Sequence, residues 1–304
     1  MTARWAVGVD VGGTKIAGAL VGADGVVRGR TVVPTPARDG ARAVLAAMAE
    51  LVRALAAGTP VVGVGVGTGG VVDAATGTVL SATDLLPGWA GTDVAGELRA
   101  LTGLPVRVDN DGNALALGEH HFGAGRGLRD GVYVTVGTGI GGGIVLDGVL
   151  RRGATHSAGE LGHLPVPGAE GRRCSCGATG HVEAVASGPA MTSRYREVTG
   201  EQVTDLRAIA ERALAGEQAA SAVLAEGGAA LGAALAGLAN ALDPQVVVLG
   251  GGVAEIGEPF LGPVERALRS AALPGPSRVA LRPALLGTDA PLAGAAVLAF
   301  EGER

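Results

Sequence analysis

The chain contains one pattern twice: an apolar strand, a glycine-rich turn, a second apolar strand and an Asp-Gly pair. The two copies keep a constant offset of 127 residues over five positions: Val7, Val9, Gly12, Ala17 and Ala19 align with Val134, Val136, Gly139, Ile144 and Leu146. Such a duplicated strand–turn–strand unit predicts two related lobes, each with its own sheet. Two lobes that face each other would place two glycine turns across one cleft.

Apolar runs of strand length alternate with helical periodicity along the rest of the chain, which predicts an α/β fold. The clearest strands are predicted at 5–9, 16–21, 26–33, 61–66, 105–108 and 246–249. The clearest helices are predicted at 41–55, 93–101, 113–120, 205–214, 219–242 and 290–300. A chain of 304 residues is long for one core. We expect an N-terminal lobe at 1–120 and a C-terminal lobe at 121–288, and the last helix, about 289–304, could pack back on the first lobe.

Charge and cysteine usage exclude several classes of protein. The net charge is −5 with no basic block, which argues against a nucleic-acid partner. Uninterrupted apolar runs are shorter than a membrane span needs, and no signal peptide is predicted. The two cysteines are separated by one residue, so they do not form a disulfide framework. We therefore expect a cytoplasmic protein without a membrane partner.

Glycine-bearing turns follow four apolar strands and are candidate phosphate-binding segments: Asp10 to Lys15, Gly67 to Gly70, Gly137 to Gly143, and Gly250 to Gly252. Glycine lets backbone N–H groups approach an anion, and a threonine hydroxyl adds a donor. In a chain with 54 glycines, plain tight turns are the alternative, and none of the four has Walker or dinucleotide-binding spacing. The repeat favours phosphate binding, as does Asp10, which ends a strand where a carboxylate can orient Mg²⁺.

An acidic run, Asp109-Asn110-Asp111, lies between a predicted buried strand and a predicted helix. An aspartate at this place can accept the proton of an attacking hydroxyl, and Asn110 can hydrogen-bond a sugar beside it. Aspartate and asparagine also cap helices routinely, so an N-cap role is the alternative. The two roles can coexist on different residues of the run.

The segment 160–183 holds both cysteines and two of the five histidines. Four of its residues form the donor set of a closed tetrahedral Zn²⁺ site: His163, Cys174, Cys176 and His181. The alternative is two buried thiols with unrelated histidines. Glu160 and Glu183 flank the set, and a loop folded by the metal would carry them towards a sugar. The remaining histidines are predicted at the surface or in loops: His120, His121 and His156.

At these residues the sequence resembles the ROK family (repressor, open reading frame, kinase), and within it the bacterial glucokinases and N-acylhexosamine kinases. The resemblance extends from Val7 to the last helix. Its motifs are Asp-x-Gly-Gly-Thr-Lys, Asn-Asp before a helix, Gly-Thr-Gly-x-Gly-Gly-Gly, Glu-x-Gly-His, Cys-x-Cys-Gly-x-x-Gly-x-x-Glu and a late Gly-Gly-Gly. It implies an actin-like (ribonuclease H-like) ATPase fold with two lobes and a central cleft, and a homodimer.

The resemblance also implies roles for single residues, with Asp111 as the catalytic base. The sugar would be bound by Asn110, Asp111, Glu160, His163 and Glu183, and the substrate site would also include Gly70 and Asp84. ATP would be held by Asp10, Gly12, Gly13, Thr14, Lys15, Thr138, Gly139, Gly251 and Gly252. Asp10 would serve Mg²⁺, and structural Zn²⁺ would be held by His163, Cys174, Cys176 and His181.

Three positions depart from the family pattern. His181 replaces a usual third cysteine, and imidazole is itself a competent zinc ligand. A Thr68-Gly69-Gly70 turn replaces a usual Pro-Gly turn. Leu85 replaces an asparagine that usually touches the sugar hydroxyls, so one side of the pocket loses an amide donor and acceptor and glucose itself is in doubt. Asp84 could substitute, and it would suit the ammonium group of an amino sugar.

The sequence therefore predicts an ATP-dependent sugar kinase acting on a hydroxyl, expected to be the 6-OH, of glucose or a glucose-like hexose. Alternative substrates stay open: glucosamine, a 3-amino hexose, N-acetylmannosamine, N-acetylglucosamine or a cyclitol, with polyphosphate as an alternative donor. The remote alternative is a non-catalytic, sugar-sensing ROK protein. A repressor of this family needs a helix-turn-helix domain of roughly 60–80 residues before the first glycine motif, whereas nine residues precede Asp10.

Overall fold

The computed structural model describes residues 4–83 and 85–302, so Asp84 lies outside the described residues. Within these ranges the strands are β1 Trp5–Val11, β2 Lys15–Gly22, β3 Val27–Pro34, β4 Val61–Thr68, β5 Val71–Asp73, β6 Thr78–Ser81, β7 Val106–Asn110, β8 Gly131–Val136, β9 Ile140–Leu146, β10 Val149–Leu150, β11 Val246–Gly250 and β12 Ala280–Pro283. The α-helices are α1 Ala41–Ala56, α2 Val94–Thr102, α3 Asp111–His121, α4 Glu183–Ala186, α5 Gly188–Thr199, α6 Leu206–Leu214, α7 Gln218–Leu242, α8 Glu258–Ala271 and α9 Ala290–Glu301.

The first sheet has the strand order β3-β2-β1-β4-β7. Strands β1, β4 and β7 run parallel, whereas β2 is antiparallel to both of its neighbours, β1 and β3. The register pairs Asp10 with Gly67, and Gly67 with Asp109. The carboxyl ends of the three parallel strands therefore meet at one edge of the sheet, and the predicted acidic residues lie at that edge.

Helices cover both faces of this sheet, which explains the near-continuous burial of β1 and β4. On one face, a Cβ added at Gly65 would lie 1.6 Å from the carbonyl oxygen of Ala295, so only glycine lets α9 lie directly on β4. On the other face, Leu51 and Leu55 of α1 pack over Gly18 of β2. The last helix thus packs on the sheet of the first lobe.

The second sheet has the order β10-β9-β8-β11-β12. Strands β8, β11 and β12 are parallel, and β9 and β10 form an antiparallel hairpin. The hairpin closes through Asp147 and Gly148, which both have positive φ, as a tight Asp-Gly turn requires. The predicted order of strand, glycine turn, strand and Asp-Gly is therefore present in both sheets, and the α/β prediction is confirmed.

The chain divides into two compact units. Unit 1 comprises the described residues up to Arg129, then Gly143–Gly159 and the residues from Leu285 onward. Unit 2 comprises Asp130–Gly142 and Glu160–Ala284. The segment Gly143–Gly159 begins within β9, so the unit boundaries differ from those of the lobes expected from the sequence, 1–120 and 121–288.

Helix α7 of unit 2 is long and apolar enough to cross a membrane, judged by length and composition alone. Its most apolar 18-residue window is 56% buried, and the helix packs against α4, α5, α6 and α8. Buried core helices pass the same test of length and composition, so one such helix is weak evidence for a membrane span. Elements that the sequence pattern did not predict include the β5–β6 hairpin and the helices α5 and α8.

His120 corrects one prediction, because it is buried on α3 rather than exposed or in a loop. Helix α3 packs closely on α9, and a Cβ added at Gly294 would lie 1.6 Å from the carbonyl oxygen of Ala114. The small residues at this crossing bring the two helices together.

Candidate functional site

Three strand ends of unit 1 bring the predicted acidic residues together. Asp10 lies near the end of β1, Thr68 ends β4, and Asn110 ends β7. The indole N–H of the buried Trp89 donates to the Thr68 hydroxyl at 2.9 Å, which fixes the turn that follows β4. Within that turn Gly70 has a φ of 101°, and a Cβ there would lie 2.2 Å from the Ser81 carbonyl oxygen. Only glycine fits this position.

Within the acidic run at the end of β7, the structure assigns the cap role to Asn110. Asn110 is the N-cap of α3, and its Oδ1 accepts the N–H groups of Gly112 at 2.8 Å and Asn113 at 3.2 Å. Its Nδ2 donates to the Gly70 carbonyl at 3.0 Å. Asp111 is the first helical residue, and its Oδ1 accepts the Gly112 N–H at 2.8 Å. The cap is thus a neighbour of Asp111, whose exposed side chain keeps a second oxygen for other chemistry.

The carboxyl groups of Asp10 and Asp111 both have raised pKa values. Burial is the main cause for Asp10, and the negative charge of Asp111 adds to it, so the pKa rises from 3.8 to about 6. Although the Asp111 side chain is accessible to solvent, surrounding protein desolvates its carboxyl group and raises its pKa. A carboxylate with a raised pKa is a stronger proton acceptor, which suits a general base.

The first glycine turn joins β1 to β2 in unit 1. The Gly12 N–H donates to the Lys15 carbonyl at 3.0 Å, and the Thr35 hydroxyl donates to the Gly12 carbonyl at 2.7 Å. Leu85 lies against the turn, since a Cβ added at Gly13 would be 2.9 Å from its carbonyl oxygen. The Leu85 side chain is 68% exposed, so an apolar group faces solvent beside this turn.

The second glycine turn joins β8 to β9 and lies in unit 2. Its Gly137 carbonyl accepts the Gly188 N–H at 2.8 Å, and Gly251 lies against the backbone of Val136. A cavity of about 450 Å³ opens beside the turn, and Thr138 and Gly252 both line it. The cavity wall also includes Gly188, Pro189, Thr192, Arg196 and Asp205. Sequence reasoning missed these wall residues. The only signal at Asp205 was that of a helix N-cap.

The four predicted zinc ligands come together in unit 2. Their donor atoms all lie within 4.8 Å of one another: His163, Cys174, Cys176 and His181. The Cys174 Sγ lies 3.4 Å from His163 Nδ1, and the Cys176 Sγ lies 3.3 Å from His181 Nδ1. Zn–S bonds of about 2.3 Å and Zn–N bonds of about 2.0–2.1 Å give a tetrahedral S···N edge of about 3.5 Å. The donor set therefore fits zinc.

Carboxylates surround this cluster. Glu160 Oε2 lies 3.8 Å from His163 Nε2, the ring nitrogen that faces away from the sulfur ligands. A histidine that binds a metal commonly presents its other nitrogen to a carboxylate. Glu183 Oε1 accepts the Ser175 hydroxyl at 2.5 Å, and Oε2 accepts the Ile140 N–H at 2.9 Å. Glu183 therefore connects the cysteine loop to the second glycine turn.

Comparisons with known proteins agree with these features. The model of the ROK family matches residues 6–301. The chain is 35% identical to a glucokinase of Halalkalibacterium halodurans, over 100% of this chain and 97% of that protein. It is 37% identical to an N-acetylmannosamine kinase of Escherichia fergusonii, over 97% of this chain and 98% of that protein.

A solved structure has the same fold. A ROK family glucokinase from Streptomyces griseus, in complex with glucose and AMPPNP, superimposes with a TM-score of 0.83 at 36% identity. The match covers 98% of this chain and all of that chain. The fold of this chain, an α/β fold of the actin-like ATPase type, is thereby established.

Proposed function

Since this chain belongs to the ROK family and is a sugar phosphotransferase, we propose that it transfers the γ-phosphoryl group of ATP to the 6-OH of glucose or a closely similar hexose. The observation that carries this proposal is the placement of Asp111. Its carboxyl group lies at the edge where three parallel strands end, has a raised pKa and remains accessible. The likeness to glucokinases supports the choice of hexose.

Asp111 acts as the general base in this proposal. Its carboxylate accepts the proton of the attacking hydroxyl, while Asn110 orients both the substrate and the first turn of α3. The bond to the Gly112 N–H holds one oxygen in place and leaves the other to take the proton. Positioning of the two reactants supplies most of the rate enhancement, as is usual for phosphoryl transfer.

In this proposal each glycine turn offers backbone amides to nucleotide phosphates. The amides of the Gly137 to Gly139 turn bind phosphate oxygens, and the adjoining cavity of unit 2 receives the adenosine. Asp10 would hold Mg²⁺ through the waters of the ion, and the ion would supply positive charge to the transferring group. Zn²⁺ would be held by four protein ligands with no open position, so its contribution would be to order the loop that carries His163.

An amino or N-acylated hexose is the second candidate substrate. The likeness to an N-acetylmannosamine kinase supports it, as does the exposed apolar side chain of Leu85 beside the first glycine turn. A leucine at this place offers no hydrogen bond to a sugar hydroxyl, whereas it tolerates an apolar substituent. We further propose a cytoplasmic homodimer with no nucleic-acid or membrane partner, and light scattering of the purified protein tests the dimer.

A coupled assay of ADP release tests the proposed function. The panel consists of glucose, glucosamine, a 3-amino hexose, N-acetylmannosamine, N-acetylglucosamine and a cyclitol, each with ATP as donor. Polyphosphate releases no ADP, so with this donor the formation of the sugar phosphate is measured instead. Glucose should give the highest kcat/KM if the hexose assignment is correct. ADP release that no sugar in the panel increases would contradict it.

Variants of Asp111 test the base. Asp111→Ala should retain the fold and sugar binding but lose about 10²–10⁴-fold in kcat. Asp111→Asn is less decisive, because the new amide would precede Gly112 and Asn-Gly pairs deamidate readily. Asp93→Asn is the matched control, since Asp93 also lies at a helix N-terminus in unit 1. Turnover near that of the wild type in Asp111→Ala would remove Asp111 from the mechanism.

A further inference from the structure

Arg152 forms an ion pair with a buried carboxylate beside the proposed base. It lies in the segment that follows β10 and belongs to unit 1. Its Nε donates to Asp109 Oδ2 at 2.7 Å. The Asp109 side chain is 1% exposed and that of Arg152 is 31% exposed. A carboxylate this buried needs a charged or hydrogen-bonded partner, so the guanidinium compensates its desolvation.

The other oxygen of Asp109 organises the start of α3. Asp109 Oδ1 accepts the Asn110 N–H at 2.8 Å and the Asn113 Nδ2 at 2.8 Å. The other polar atom of this side chain, Asn113 Oδ1, is buried and has no hydrogen-bond partner within the described residues. The orientation of Asn113 is therefore set by Asp109, which ties the N-cap of α3 to the first turn of the helix.

Asp111 lies inside the stretch that Asp109 fixes from both sides. Asn110 precedes it and Asn113 follows it by two residues, and both are bonded to the same carboxylate oxygen. The segment that carries Arg152 is itself held, since the Ala158 N–H donates to the Arg152 carbonyl at 3.0 Å. Farther along it, His156 Nε2 lies 3.8 Å from Asp73 Oδ1.

We propose that Arg152 is a positioning residue for phosphoryl transfer: it holds Asp109 and, through it, the first turn of α3 and the Asp111 carboxyl group. This inference rests on the proposed function, because it gives the ion pair the role of positioning the proposed base. It goes beyond the motifs named in the sequence analysis, which include neither Asp109 nor Arg152. Arg152 acts through Asp109, so it is not itself a catalytic residue.

Substitution of Arg152 should slow catalysis with little effect on binding. Arg152→Gln should lower kcat on the order of 10–100-fold, because small displacements of a reacting group have effects of this size. The KM values for sugar and ATP should stay within about 3-fold of wild type. A displaced base weakens an interaction of the transition state and leaves ground-state binding of the substrates unchanged. Arg151→Gln is the matched control, since Arg151 is the adjacent arginine and its ion pair with Asp147 is at the surface.

A double variant separates positioning from a general loss of structure. Asp109→Asn together with Arg152→Gln replaces the ion pair by a neutral amide pair that can keep the bonds to Asn110 and Asn113. We expect this double variant to recover most of the kcat that Arg152→Gln loses. Arg152→Lys, which retains the charge, provides the measurement if Arg152→Gln does not fold. Losses that simply multiply in the double variant would overturn the proposal.

Amide hydrogen exchange gives a readout that does not depend on activity. Exchange at residues 110–114 should be faster in Arg152→Gln than in wild type and should be unchanged in Arg151→Gln. Unchanged exchange at 110–114, or an unchanged kcat, would overturn the positioning role. A wild-type protein that phosphorylates no sugar would overturn the proposed function instead, and exchange would still decide whether Arg152 orders the first turn of α3.

Discussion

Replacing Asp10 with asparagine should stabilise the folded protein in Mg²⁺-free solution, by an amount that grows with pH. Its pKa is raised from 3.8 to about 6, mainly by burial and then by the Asp111 charge, against opposing effects of Lys15 and Arg30. A carboxyl group whose pKa is higher in the folded state favours folding while it is protonated. That contribution is complete below 3.8 and is lost as pH rises through about 6.

The size of the effect follows from the two pKa values of Asp10. With 3.8 in the unfolded state and about 6 in the folded state, the raised pKa of Asp10 lowers the free energy of unfolding, relative to low pH, by about 1.6 kcal/mol at pH 5 and about 3 kcal/mol at pH 8. Asp10→Asn removes this penalty but also changes packing by an amount that does not depend on pH. The informative quantity is therefore the change between pH 5 and pH 8, about 1.4 kcal/mol.

Urea unfolding at pH 5 and pH 8 measures this change for wild type, Asp10→Asn and the surface control Asp39→Asn, in buffers freed of Mg²⁺. The gain from Asp10→Asn over wild type should be larger at pH 8. Millimolar Mg²⁺ should reduce that gain if the cation binds beside the wild-type carboxylate. A gain of equal size at both pH values would refute the raised pKa of Asp10.

Two further variants test the metal cluster and the turn after β4. Cys174→Ser should lose zinc and have a lower melting temperature, because the tetrahedral set loses a thiolate. The control Ser175→Ala should keep its zinc. Metal analysis that finds no zinc in the wild type would contradict the site. Gly70→Ala should cost about 2–3 kcal/mol, since it combines a strained φ with a clash against the Ser81 carbonyl. Gly58→Ala, with positive φ but open space, should cost less, and equal costs in urea unfolding would exclude the clash.

Several features of the site were predictable because they are local in sequence. The spacing of Cys174, Cys176 and His181 brings three donors close within one short loop, so their chemistry indicated a metal site before any fold was known. The acidic run at the end of β7 likewise indicated both a helix cap and a base. Which residue caps the helix depends on where the helix begins, and the structure shows that Asn110 is the cap.

The sequence by itself determined the types of the clearest strands and helices, the duplicated unit and the donor residues, because each is encoded by periodicity or by neighbours within a turn. Tertiary structure alone decided the ion pair of Arg152 with Asp109, the burial of His120 and the cavity wall that includes Arg196 and Asp205. The ion pair and the cavity wall join residues that lie far apart in the chain. No local pattern records such contacts, since their free energy arises only when the distant segments pack.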